Sequence, residues 1–375
     1  MTVELRRGRA ARFALGAAIV AVQFAIFEIG MRTWGSSEAA PAFQGLFADD
    51  PTIGYRLKPG ARVRFTTAEF DTTIAVNHSG LRDDQELGPK PPGERRILIL
   101  GDSLVLAVQV PFAQTFGEVL EQRLNRPPAA HRYRVINAGV QGYGPVEELL
   151  LLRSIIGAVQ PDLVIDTLFV GNDAEEAVTS EPRLSGERPA AAALRDSFAA
   201  RLRRLVRRSM VLQVLRLRLS QATGRLSFSA APPEAPLQSY AARPAPRIAR
   251  GLAITRDAVQ AMIAASVAAG ARSAVVLMPA RFQVDAADYG RLRQAVAESG
   301  GELVRDAATV RFQEALTGLD APVLDPLPAL RAALPGPDLF FQQTVHLTPR
   351  GHEIVAEALE RFLQASGLID PPGGR

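Results

Sequence analysis

Ile97-Leu98-Ile99-Leu100-Gly101-Asp102-Ser103-Leu104 is the stretch on which the reading of this chain turns. Four consecutive apolar residues have the continuous pattern of a strand buried on both faces, as in a parallel sheet. Such a strand delivers the next residues of the chain to the carboxyl edge of the sheet, where open α/β folds keep their chemistry. Ser103 is therefore a candidate nucleophile. The competing reading of the same letters is an ordinary strand-to-helix turn in which Asp102 or Ser103 caps a helix.

Outward from this strand, short apolar runs alternate with helical patterns. Strands are expected at 97–100, 133–137, 163–170, 273–278 and 322–324, and helices at 116–124, 146–156, 258–268 and 353–363. The expected fold class is α/β, a three-layer α/β/α sandwich around a five-stranded parallel sheet, because crossover helices cover both faces of such a sheet. The last helix is the best specified. Thr348 can cap it, Pro349 suits its first turn, and Ile354, Val355, Ala358, Leu359, Phe362 and Leu363 form one stripe.

Four further segments surround this unit. Arg6, Arg7, Arg9 and Arg12 precede an apolar stretch from Phe13 to Ile29, so 1–36 reads as a single-pass inner-membrane anchor with its N-terminus in the cytoplasm and the catalytic domain periplasmic. A cleaved signal peptide is the alternative, with Ala40-Pro41-Ala42 supplying small residues; the apolar region is longer than such peptides use. Residues 37–95 read as a small β-rich segment, from the alternation Phe70-Thr72-Ile74-Val76 before Asn77-His78-Ser79-Gly80. The catalytic unit spans 96–368, with an insertion at 181–250 and a tail at 369–375. Within the insertion, 194–219 sets leucines against Arg201, Arg204, Arg207, Arg208, Arg216 and Arg218. Such a helix suits either an anionic lipid surface or packing on the core with its arginines in water. The stretch 230–246 is Pro/Ala-rich and reads as a loop.

Composition narrows the chemistry. The 375 residues are 47% hydrophobic and 22% charged, with a net charge of +4, which argues against nucleic acid as the partner. There are no cysteines and four histidines, which rules out a thiol nucleophile and leaves little for a histidine-based metal centre; no metal or organic cofactor is implied.

The order of motifs resembles the SGNH, or GDSL, hydrolase superfamily. Its blocks are matched by Gly101-Asp102-Ser103-Leu104, by Asn137-Ala138-Gly139 with Gln141-Gly142-Tyr143-Gly144, by Gly171-Asn172-Asp173, and by His346-Leu347-Thr348-Pro349-Arg350-Gly351-His352. The resemblance covers roughly 97–173 and 271–363 and implies the flavodoxin-like SGNH fold. It further implies Ser103 as nucleophile, His346 as general base, and an oxyanion hole made by Ser103, Gly142 and Asn172. Each role suits its residue: an imidazole activates a hydroxyl, glycine lets backbone approach the reacting carbon, and an amide donates at any working pH. His352 reads instead as a packing residue at a helix start.

One departure stands out. The family usually carries an aspartate two or three residues before its catalytic histidine, where this chain has Thr344 and Gln343. The triad becomes a dyad unless Asp338 or Asp325 folds in; Gln343 is the candidate orienter of the ring, with a histidine pKa near the ordinary value of about 6.5 expected. The implied activity is hydrolysis or transfer of an ester through an acyl-serine, with O-acetyl groups on envelope carbohydrate the favoured substrate. A lysophospholipase-like lipid esterase and a weak pseudohydrolase that binds acylated glycan are the alternatives.

Overall fold

The computed structural model describes residues 45–127, 131–186, 235–336 and 338–369. The anchor expected at 1–36 and the basic helix expected at 194–219 lie outside these residues. Among the described residues no helix is long and apolar enough to cross a membrane.

Two antiparallel hairpins come first, β1 (Phe47–Asp50) with β2 (Gly54–Leu57), and β3 (Arg62–Thr66) with β4 (Asp71–Ala75). The alternation that marks the second hairpin buries Thr72 and Ile74 on one face of β4 and leaves Asp71 and Thr73 exposed. Five parallel strands come next: β5 (Glu94–Gly101), β6 (Arg132–Gly139), β7 (Leu163–Phe169), β8 (Arg272–Met278) and β9 (Val323–Leu324). They lie in the order β6-β5-β7-β8-β9, so all five expected strands are present and the fold is α/β with a parallel sheet. The chain leaves β5 toward one side to make β6 and returns to the other to make β7. Such a reversal opens a crevice at the carboxyl ends of the strands.

The helices are α1 (Phe116–Leu124), α2 (Pro145–Val159), α3 (Asp173–Ser180), α4 (Pro246–Ala268), α5 (Ala286–Glu298), α6 (Ala307–Leu316) and α7 (Pro349–Ala365), with short helical turns at Ser103–Leu106, Arg281–Val284 and Leu327–Ala332. Period-two side-chain alternation divides the core into two layers. Leu98, Leu100, Ile136, Ala138, Val164 and Val275 share one apolar cluster with Leu149 and Leu152 of α2 and Val259 and Met262 of α4. Ile97, Ile99, Val135, Ile165 and Val276 share the other with Leu120 of α1 and Val355 and Leu359 of α7.

Three differences from the sequence reading have physical causes. Leu46, Ile53, Leu57, Phe65 and Ile74 belong to the same cluster as the sheet, so the described part of the β-rich segment, 45–95, shares the main core, and β5 already begins at Glu94. Helix α4 starts at Pro246 rather than 258: proline suits a first helical turn, and Ile248, Gly251 and Ile254 continue the buried stripe that its Pro/Ala-rich approach obscures. That removes the end of the expected insertion from loop to core, and the stretch read as a loop holds a 3-10 turn at Ala235–Tyr240 that buries Tyr240.

Candidate active site

Register puts three motif blocks at one edge. Gly101, the last residue of β5, lies opposite Gly139 of β6 on one side and Thr167 of β7 on the other, so Ser103, Gly142 and Asn172 all leave the sheet at neighbouring carboxyl ends. The Ser103 turn is tightly built. Asp102 caps Ser103–Leu106 by accepting the Leu104 N–H at 2.7 Å. Buried Asn137 donates to the Val105 carbonyl at 2.7 Å and accepts the Gly139 N–H at 3.0 Å. Gly139 is needed by close approach: a Cβ there would stand 2.3 Å from the Leu106 nitrogen. Gly142 is in the left-handed region at φ 72°, and its open side meets the Tyr55 hydroxyl, 3.1 Å from where a Cβ would be. That hydroxyl donates to the Gln141 carbonyl at 2.7 Å.

Asn172 is the N-cap residue of α3, and its Nδ2 donates to Oε1 of Glu176 at 2.8 Å; its Oδ1 is enclosed and has no partner. Asp173, fully buried, accepts the Phe169 N–H at 2.8 Å and so fixes the turn that carries Asn172.

His346 stands on the loop before α7. Leu347 beside it and Leu104 beside Ser103 are buried in the same apolar cluster. Among the described residues neither ring nitrogen of His346 has a hydrogen-bond partner, and Ser103 Oγ makes a single 3.5 Å contact, to Asp102 Oδ2. The serine–imidazole bond is thus not formed in this arrangement. Burial lowers the His346 pKa to about 4, against the ordinary value expected from sequence. The cause is an imidazole enclosed with no carboxylate to stabilise its cation.

The expected orienting role of Gln343 is corrected as well. Its side chain makes no bond to the ring, and its backbone N–H is given to Glu69. Asp338 accepts from Gln342, and Asp325 from Leu327 and Gln313, so neither reaches His346. Thr344, two residues before His346, accepts the His346 backbone N–H at 3.3 Å. His352 is buried in α7, stacked on Phe116, and its Nδ1 accepts the Phe116 N–H at 3.2 Å.

The β-rich segment grips three of the four candidate loops, those of Ser103, Gly142 and His346, through contacts that sequence reading missed. Tyr55 holds the Gly142 loop, and the Tyr143 hydroxyl in turn bonds the Tyr55 carbonyl. Arg82, almost wholly buried, donates to the carbonyls of Leu106, Ala107 and Val110 just beyond Ser103, and Thr72 donates to that of Val108. Glu69 takes the N–H groups of Gln342 and Gln343 at 2.6 and 2.8 Å, while Phe70 packs on Phe341 with ring centroids 5.6 Å apart.

Near the Gly142 and Asn172 loops lies an acidic cluster of buried Asp102, Glu148, Asp166 and Asp173 with half-buried Glu176. Desolvation raises every one: Asp102 to about 6, Asp166 to about 7, Glu176 to about 8, and Glu148 and Asp173 well above the usual carboxyl range. Glu148 on α2 faces Asp166 on β7, with no other partner for either carboxyl, the arrangement of two acids that share a proton. Among the described residues no group of three or more His, Asp or Glu is arranged to hold a metal ion.

No protein-family model matches the chain, and no curated protein does. Solved structures do. An acetyl xylan esterase, AlAXEase, is 12% identical, with 73% of this chain and 100% of that one covered at a TM-score of 0.40. The lipase/acylhydrolase from Enterococcus faecalis is 15% identical over 75% of this chain and 100% of that one, TM-score 0.40. A putative lipolytic protein of the G-D-S-L family from Desulfitobacterium hafniense is 12% identical over 72% and 99%, TM-score 0.36. The likeness is to esterases and lipolytic proteins.

Proposed function

We propose that this protein is an SGNH-type serine ester hydrolase. The observation that carries the reading is the register that brings Ser103, Gly142 and Asn172 to adjacent carboxyl ends of β5, β6 and β7, at the point where the strand order reverses. His346 removes the Ser103 proton as Oγ attacks the ester carbonyl. The charge that develops on the carbonyl oxygen is met by the Ser103 and Gly142 backbone N–H groups and the Asn172 amide. His346 then protonates the departing alcohol, leaving an acyl-serine. An imidazole lowered to about 4 is neutral and ready to accept a proton at any pH above about 5, and it is a weak base, so acylation is slow relative to a site with a charged orienter.

The favoured substrate is a short acyl ester, O-acetyl on envelope carbohydrate, with water or a sugar hydroxyl as acceptor. The arginine-flanked apolar N-terminus supports an extracytoplasmic site anchored in the inner membrane. Initial rates on p-nitrophenyl acetate, butyrate and decanoate test the class. Rates that fall with chain length support the short-acyl reading, and rates that rise with it support a lipid esterase. No turnover of any ester by the wild-type protein would leave a binding role in place of catalysis.

A further inference from the structure

Val140-Gln141-Gly142-Tyr143 is a four-residue turn closed by the Tyr143 N–H, which donates to the Val140 carbonyl at 3.2 Å. Gly142 has φ 72° and Gln141 lies outside the left-handed region, which makes the turn type II. Types I and II share the closing bond and differ in the central peptide, which rotates by roughly half a turn between them. Here the central peptide joins Gln141 to Gly142. It therefore carries the Gly142 N–H, the donor assigned to the oxyanion hole.

Tyr55, on β2, holds this same peptide by its other end. Its hydroxyl donates to the Gln141 carbonyl at 2.7 Å. In a planar trans peptide the C=O and the N–H point in opposite directions, so a carbonyl drawn toward β2 sends the Gly142 N–H away from it. Among the described residues that N–H donates to no protein acceptor. A type I turn would reverse both groups: the carbonyl would lose the Tyr55 hydroxyl and the N–H would swing toward β2. The side chain that makes the bond is itself fixed. Its ring packs edge-on against Phe47 and Tyr143, with centroids 5.4 and 5.5 Å away, and its backbone carbonyl accepts the Tyr143 hydroxyl.

Resting on the esterase reading above, we propose that Tyr55 is a positioning residue for ester cleavage: its hydroxyl selects the type II form of the 140–143 turn and so aims the Gly142 N–H at the carbonyl oxygen of the substrate. It also sharpens that donor. A hydrogen bond accepted by a peptide carbonyl polarises the N–H of the same peptide, and bonds in such a chain strengthen one another by about 10–30% each. Tyr55 touches no reacting atom and acts through Gly142.

The experiment is steady-state kinetics on p-nitrophenyl acetate for wild type, Tyr55→Phe, Gly142→Ala and the double variant, with thermal unfolding of each and Ser103→Ala as control. Phenylalanine keeps the ring contacts and the backbone carbonyl that Tyr143 uses. Loss of the hydroxyl lowers kcat about 3- to 10-fold. Acylation and deacylation both pass through an oxyanion, so kcat and kcat/KM fall together and KM stays within about twofold of wild type. In Gly142→Ala the φ of 72° is strained and the new Cβ stands 3.1 Å from the Tyr55 hydroxyl, so the turn reverses and kcat falls about 10²–10³-fold. Tyr55 then has no aimed donor to hold, and the double variant is no slower than Gly142→Ala. Should Tyr55→Phe fail to fold, Tyr143→Phe, which frees the Tyr55 carbonyl, shows the same loss in kcat alone at about twofold. A Tyr55→Phe protein with wild-type kcat, a loss confined to KM, or a double variant slowed by the product of the two single factors overturns the proposal. No ester turnover by the wild type, or turnover retained in Ser103→Ala, refutes instead the seryl mechanism on which it rests.

Discussion

Removing the Glu69 carboxylate should slow catalysis without unfolding the protein. Glu69 sits on the β3–β4 turn, which Thr67 Oγ1 fixes by accepting the N–H groups of Glu69 and Phe70, each at 3.1 Å. From there its two oxygens hold the Gln342 and Gln343 N–H groups, and the Phe341 N–H bonded to the His346 carbonyl at 3.0 Å closes the loop behind them. Hydrogen bonds to a charged acceptor contribute about 1.5–3 kcal/mol each when buried, and solvent at this half-exposed turn reduces the pair to about 1–2 kcal/mol in total. Freed by that amount, the loop holds His346 in reach of Ser103 for a smaller fraction of the time, and kcat/KM falls about 5- to 30-fold. Glu69→Gln keeps one acceptor and should fall between wild type and Glu69→Ala. The assay is kcat/KM on p-nitrophenyl acetate, with thermal unfolding as control, in the wild-type and His346→Ala backgrounds. The reasoning fails if Glu69→Ala leaves kcat/KM unchanged, or if it slows the His346→Ala protein as much as the wild type, because a clip acting through His346 has nothing to hold in that background.

The same structure sets other outcomes. Arg82→Ala strands three backbone carbonyls behind the Ser103 turn and should cost about 2–4 kcal/mol, read as a lowered urea midpoint. Thr344→Asp places a carboxylate beside the imidazole and should raise the His346 pKa from about 4, seen as an upward shift of the acid limb of kcat/KM; an unmoved limb would show that the new carboxylate does not reach the ring. The acidic cluster makes stability depend on pH with a definite sign. Its folded pKa values are raised, so its contribution is full below the ordinary carboxyl range and is lost as pH climbs through about 6 to 8. The histidines run the other way: His346 and His352 are lowered to about 4 and about 3, so their contribution is present above the ordinary imidazole value and is lost as pH falls toward 3. Unfolding temperature should therefore drop between pH 6.5 and pH 8.5, with Asp166→Asn reducing that drop.

Much of the fold was legible because continuous apolar runs such as 97–100 and 163–165 have no other comfortable place than a doubly covered sheet. Helix α7 was legible for a related reason, since cap, proline and stripe agree. Helices α3, α5 and α6 were not: Asp173, Glu175 and Glu176 crowd the first turn of α3, and α5 buries no residue completely, so neither shows the stripe that marks a core helix. In the site, residues adjacent to motifs were readable, whereas those that act across long sequence separation were not. Glu69 lies 273 residues from Gln342, and nothing local to either betrays the contact. One signal was available. Asp166 interrupts the run Leu163-Val164-Ile165 in a central strand, and a carboxyl there must find a proton or a partner, which Glu148 supplies.

The most direct measurement is mass spectrometry of the protein after exposure to a serine-directed fluorophosphonate. The account predicts one adduct, on the peptide that contains Ser103, absent in Ser103→Ala and formed at least a hundredfold more slowly in His346→Ala, since general-base help contributes about 10²–10⁴ in rate. A wild-type protein that takes up no label, or a label that persists in Ser103→Ala, would contradict it.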